Sequence, residues 1–195
     1  MLFLLPCLAG CFSRCQNIRR KWQDNDEREK VESRTLIERF RLVAHPEGGY
    51  YRESYRSGDM IPQYALPDRF GGSRHFSTAI YFLLEKGQYS HLHRIHSDEI
   101  WHFYLGGPLR LAMVWPDGRP EEIILGQDIE AGQHLQYVVP AGVWFGATPC
   151  EGSGYSMVGC TVSPGFDFAD FEMGAKRTLK SDFPDAAACI DEFAM

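Results

Sequence analysis

The sequence has no C-x2-C pair, no apolar run long enough to span a bilayer, no internal repeat and no low-complexity tract. Without paired cysteines, a zinc knuckle or a thioredoxin-like redox motif has no support. The apolar opening from Met1 to Cys11 is too short for a transmembrane helix, and no basic residues precede it. Positive charge is scarce: 20 Lys and Arg stand against 26 Asp and Glu, a formal net charge of −6. The chain therefore offers no general attraction to nucleic acid or anionic lipid, and no nucleic-acid partner is expected. The imbalance is uneven. Residues 1–34 carry seven basic and five acidic side chains, leaving thirteen against twenty-one for residues 35–195.

What is present suits one domain: 195 residues, 44% of them hydrophobic, are enough to bury a full core. Residues 1–32 read as a disordered leader, and the domain is expected over 33–195. Two other readings of the leader exist. Leu8-Ala9-Gly10-Cys11 resembles a lipoprotein cleavage box, and Cys7, Cys11 and Cys15 near Arg19, Arg20 and Lys21 could be acylated beside a basic patch. The preferred expectation is a cytoplasmic protein with reduced thiols. A Cys150–Cys160 bridge across neighbouring strands is the lesser alternative to buried free thiols.

Ser33 to Phe40 offers a Ser N-cap and apolar Leu36, Ile37 and Phe40 at helical spacing, which predicts a short amphipathic helix ending before His45-Pro46. Short β-rich runs follow, at Tyr50–Tyr55, Thr78–Leu84, Ile100–Leu105, Leu109–Trp115, Glu121–Leu125, Leu135–Val139 and Tyr155–Val162. Regular short strands with Gly, Pro and Asp between them predict an all-β sandwich or barrel. Trp115-Pro116-Asp117-Gly118-Arg119 predicts a hairpin turn, and Asp185 to Phe193 a closing helix.

Five of seven histidines lie between His75 and His102. Gly87, His93, Glu99 and Gly106 fit the first motif of the cupin superfamily, G-x5-H-x-H-x3,4-E-x6-G, with Ile95 in place of the second histidine. Gly132, Pro140 and Gly142 follow the second motif with two extra residues before the proline, and Phe145 stands where its histidine belongs. The segments His45–Glu53, Ser97–Tyr104, Val139–Ala147 and Gly159–Phe166 together resemble one cupin family long catalogued as a domain of unknown function, over about residues 35–185. That resemblance implies a homodimeric double-stranded β-helix, a jelly-roll barrel, with a pocket of undefined ligand and a shape similar to sugar-nucleotide epimerases.

In a cupin register His93 and Ile95 point into the barrel and Glu99 enters from the next strand. One imidazole and one carboxylate are too few for a tight metal site, so no metal and no cofactor is expected, unless His91, on the face of His93 by simple alternation, restores one. His93 is then the expected general base and Glu99 its orienting carboxylate, with Tyr51, Tyr81 and Tyr104 as candidate acids. A buried His–Glu pair that merely satisfies itself is an equal reading. Trp101, Trp144 and Phe145 are expected to line the cavity, with His91 as a further ligand contact. Arg94, with Arg52 and Arg74 behind it, is the candidate for holding an anionic group. The leading expectation is a metal-independent cupin that binds a small sugar-like or polar molecule and isomerises or epimerises it. A non-catalytic binding module and a metal-dependent oxygenase or isomerase are the alternatives.

Overall fold

The computed structural model describes residues 31–195. The expectations for the leader, and for cleavage or acylation at Cys7, Cys11 and Cys15, therefore fall outside the described residues.

Helix α1 (Ser33–Phe40) packs Leu36 against Leu83 and Met157, a burial worth about 2 kcal/mol. Its cap differs from the expectation. Glu32 occupies the N-cap position without a side-chain bond, and Ser33 sits one residue inside, where its Oγ donates to Glu85 Oε1 at 2.6 Å. A tertiary acceptor has won over the local one. The helix ends at Arg41, which holds a left-handed φ of 53°.

Thirteen strands follow: β1 (Val43–Ala44), β2 (Tyr50–Arg56), β3 (Met60–Ile61), β4 (Arg74–His75), β5 (Thr78–Glu85), β6 (Ser90–Arg94), β7 (Asp98–Gly106), β8 (Leu109–Val114), β9 (Pro120–Leu125), β10 (Gln136–Val139), β11 (Trp144–Pro149), β12 (Tyr155–Ser163) and β13 (Glu172–Met173). They form a six-stranded sheet in the order β1-β2-β5-β12-β7-β10, a five-stranded sheet in the order β13-β6-β11-β8-β9, and the small pair β3-β4. All strand pairings are antiparallel. The main core lies between the two large sheets, where Phe82, Trp101 and Val158 of one meet Leu111, Met113 and Phe145 of the other. This is the jelly-roll barrel that the family resemblance implied. The predicted hairpin is present, with Gly118 N–H donating to Trp115 O between β8 and β9.

The five-stranded sheet is covered on both faces. Leu111 and Met113 point into the barrel, while Ala112 and Val114 alternate outward beneath α2 (Lys176–Asp182) and α3 (Ala187–Phe193). The closing helix was expected, whereas α2 was not. Cys150, Cys160 and Cys189 are free thiols, so the bridged alternative does not occur. Among the described residues no helix is long and apolar enough to cross a membrane.

One irregularity positions the site. Along β11, Phe145 pairs with His93 but Ala147 pairs with Ser90, so β6 carries one extra residue between these points. Such a bulge reverses the alternation of faces. Gly146 sits opposite it, where an added Cβ would come within 2.7 Å of Ser90 O and 3.3 Å of Leu92 N. Only glycine permits that approach.

Candidate functional site

A cavity of about 450 Å3 opens at one end of the barrel, within the range usual for small-molecule sites. Its walls are apolar, from Ile80, Ile95 and Val162 on one side and Phe166, Phe168 and Phe171 on the other. Its floor holds His45, Glu47, His93, Glu99 and Cys160. Sequence reasoning placed His93 and Glu99 here and missed His45 and Glu47. Both belong to the segment His45–Glu53 that carried part of the family resemblance, but no motif spacing marked them as floor residues.

Glu47 is brought in by a loop clamped against the start of β6. His91 N–H donates to Glu47 O at 2.8 Å, and Gly48, at a φ of 112°, lies so close to Tyr89 O that a Cβ would stand 2.0 Å from it. The Glu47 carboxylate then reaches two side chains of β6. Ser90 Oγ donates to Oε1 at 2.8 Å, and His93 Nε2 lies 3.2 Å from Oε2. His93 Nδ1 donates to His91 O at 2.8 Å, which leaves Nε2 with the lone pair in the neutral ring. The His93–Glu47 contact therefore holds a single proton. Burial pushes the Glu47 carboxyl up and the His93 imidazole down, so both favour the uncharged arrangement, with the proton on Glu47.

The carboxylate nearest His93 is thus Glu47, while Glu99 acts on the ring through its field. Both nitrogens of His93 are engaged, and Phe145 and Phe171 pack on its ring at centroid distances of 4.1 and 5.3 Å. Glu99 stands elsewhere on the floor. Burial pushes its carboxyl up to about 7 against the favourable field of His93. Burial also holds the Cys160 thiol on the same floor well above the ordinary range, so it stays neutral. His45 accepts from Glu47 N–H through Nδ1 at 3.3 Å and packs edge-on to Tyr51 at 4.4 Å, and burial lowers its pKa. Its Nε2 and the Glu99 carboxyl oxygens have no hydrogen-bond partner among the described residues, and none is sealed from the cavity.

Several expected ligand contacts lie elsewhere. The bulge turns His91 outward, where Nδ1 bonds Phe193 O at 3.0 Å, and puts Ser90 on the inner side instead. Arg94 and Trp144 are also on the outer face, with the guanidinium 4.5 Å over the indole and bonded to Glu172 at 2.8 Å. Trp144 and Phe145 are adjacent in a strand, so only one of them can face inward. Phe145 does, but it and Trp101 lie fully buried beneath the floor and do not line the cavity. Arg74 is spent on a buried pair with Asp170. Of the tyrosines only Tyr51 reaches the cavity, since Tyr81 and Tyr104 pack together on the outer side of the six-stranded sheet.

The cupin fold raises the question of a metal. Of the four ligand positions, Ile95 and Phe145 carry no donor, His93 has both nitrogens engaged, and Glu99 is the remaining group. Among the described residues no group of three or more His, Cys, Asp or Glu is arranged to hold an ion. The donor set does not fit a cupin metal centre.

Comparison with known proteins agrees with the fold. A solved structure of a hypothetical protein from Leishmania major is 37% identical, covers 84% of this chain and 98% of its own, and superposes with a TM-score of 0.78. A protein from Shewanella oneidensis gives 37% identity, the same coverage and a TM-score of 0.75. An uncharacterised protein of Saccharomyces cerevisiae, YML079W, is 31% identical over 146 residues, 69% of this chain and 71% of the yeast protein. Residues 34–174 match the family model described as Cupin superfamily (DUF985), and the chain belongs to that family.

Proposed function

We propose that this protein binds a small polar molecule in the cavity and catalyses metal-independent proton transfer on it, as an isomerase or epimerase does. The observation that carries this reading is the pair of titratable groups left facing the cavity, Glu99 with its carboxyl at about 7 and His45 with Nε2 unpartnered among the described residues. A carboxyl near 7 exists in both forms at neutral pH and can take or give a proton. His45, held neutral by burial with Nδ1 as an acceptor, presents Nε2–H to the ligand as a hydrogen-bond donor while Glu99 carries the proton. The His93–Glu47 pair acts behind them. It keeps a neutral imidazole fixed below Glu99, so His93 positions and tunes where it was first expected to touch the ligand.

The test begins with thermal-shift screening against nucleotide sugars, organic acids and indole-like compounds, where a specific ligand raises the melting temperature. The hit is then incubated with the protein in D2O. The expected result is deuterium in a ligand C–H position, lost in Glu99→Gln while the thermal shift remains. Binding without any exchange favours the second reading, a ligand-binding module, which the enclosure of His93 by Phe145 and Phe171 supports. A stoichiometric transition metal in protein purified without a histidine tag would restore the metal-dependent alternative. The same reading carries a cytoplasmic homodimer, checked by light scattering and fractionation, and a domain that folds without residues 1–32, checked by the melting temperature of a truncation.

A further inference from the structure

The floor accounts for the acid–base groups but leaves the arginines at the mouth unexplained. Arg41, Arg52 and Arg56 all line the opening, and Glu53 stands among them. Glu53 is already neutralised, because Arg56 binds it through Nε and Nη2 at 2.6 to 3.1 Å and gives Nη1 to Phe166 O. Arg52 uses one nitrogen on Phe40 O at 3.2 Å, and no partner of Arg41 is found among the described residues. Two guanidiniums therefore bring unmatched positive charge to the cavity of a chain whose net charge is −6.

The backbone adds a second observation. Arg41 follows the last turn of α1 in a left-handed conformation, φ 53° and ψ 46°, where its N–H donates to Glu38 O and the next N–H, of Leu42, donates to Ile37 O. Glycine is the residue that adopts this conformation without steric cost. It is the one non-glycine residue at positive φ among the described residues. A strained cap that carries a guanidinium onto a cavity rim is the kind of outlier that accompanies a binding role.

We propose, on the reading of the cavity as a small-molecule site, that its ligand is an amphiphilic anion. Its flat apolar body lies among Ile80, Val162, Phe166, Phe168 and Phe171, and its carboxylate or phosphate is gripped by Arg41 and Arg52 at the mouth. The arrangement orients the molecule, with the charged end at the rim and the reacting carbon toward Glu99 and His45. Paired guanidiniums suit either head group, since both offer oxygens to the planar donor fork.

The test is calorimetric titration of the full chain with phenyl phosphate, phenylacetate and the neutral 2-phenylethanol, repeated with Arg41→Gln, Arg52→Gln and Arg41→Lys. Both anions are expected to bind at least tenfold more tightly than the alcohol, and less tightly as salt is raised. Each Gln variant should weaken the anions about ten- to hundredfold without changing the alcohol. Arg41→Lys should recover part of the loss, and an unchanged melting temperature for each variant excludes misfolding. The tighter of the two anions identifies the head group. Equal binding of the alcohol, anion affinities untouched by both Gln variants, or no binding of any probe overturns the proposal. None of these results touches proton transfer at the floor, which is read separately by exchange in D2O.

Discussion

On the outer side of the five-stranded sheet, Leu92, Val114 and Trp144 meet Leu179, Ile190 and Phe193 in a cluster whose fully buried members carry no ionisable group. Inside the barrel, at the cavity end, Glu47 from a loop, His93 from the five-stranded sheet and Glu99 from the six-stranded sheet are buried titratable groups whose pKa values burial displaces. The first region is what packing alone produces. The second is costly, because buried titratable groups resist ionisation and each needs a partner. Such groups cluster where a fold has a use for them, and the contrast is the reason the proposed function is placed at the cavity end of the barrel.

The contrast can be tested by substitution. Phe193 is fully buried under the outer face, so Phe193→Ala should cost about 3–5 kcal/mol in denaturant unfolding and leave ligand affinity per folded molecule unchanged. A large affinity loss would mean that the two regions are coupled. Glu47→Ala should cost about 3 kcal/mol, since it strips the partner from His93 Nε2 and Ser90 Oγ inside the barrel, and should shift the His93 ring resonances in NMR.

Glu99 is predicted to act in the opposite direction. Its folded carboxyl titrates near 7, above the ordinary 4.5, so the native state binds its proton more tightly than the unfolded chain. Its contribution to stability is present below about pH 4.5 and is lost as pH rises through 7. Glu99→Gln should therefore be more stable than the wild type at pH 8 by roughly 2–3 kcal/mol, with no such gain at pH 4. His45 and His93, lowered by burial, act in the other sense and add stability as pH rises toward 6.5. The wild-type minus variant difference isolates Glu99. Smallest of all, Arg94→Ala removes a half-exposed pair with Glu172 and a contact over Trp144, and should cost less than about 1 kcal/mol with no change in ligand binding.

The barrel was legible in the sequence because turn residues recur between short β-rich runs, and because glycine and glutamate spacing in the first motif is kept without gaps. The floor was only half legible. His93 and Glu99 follow from strand register, but Glu47 comes from a loop more than forty residues earlier, and nothing local says where a loop will be clamped. His91 was misplaced because simple alternation cannot show a bulge. Arg94 and Trp144 were misplaced for a different reason: they adjoin His93 and Phe145, and the same period-2 rule that turns those inward sends their neighbours out.

The contact of Gly48 with Tyr89 O has a consequence for motion. A loop whose backbone already touches β6 has no free travel, so the Glu47 side of the cavity behaves as a fixed anvil. The facing bank is less constrained, for Phe168, 54% exposed, stands on the segment between β12 and β13. Under the proposed binding role, ligand on-rates should respond to bulk changes there more than to those at the loop.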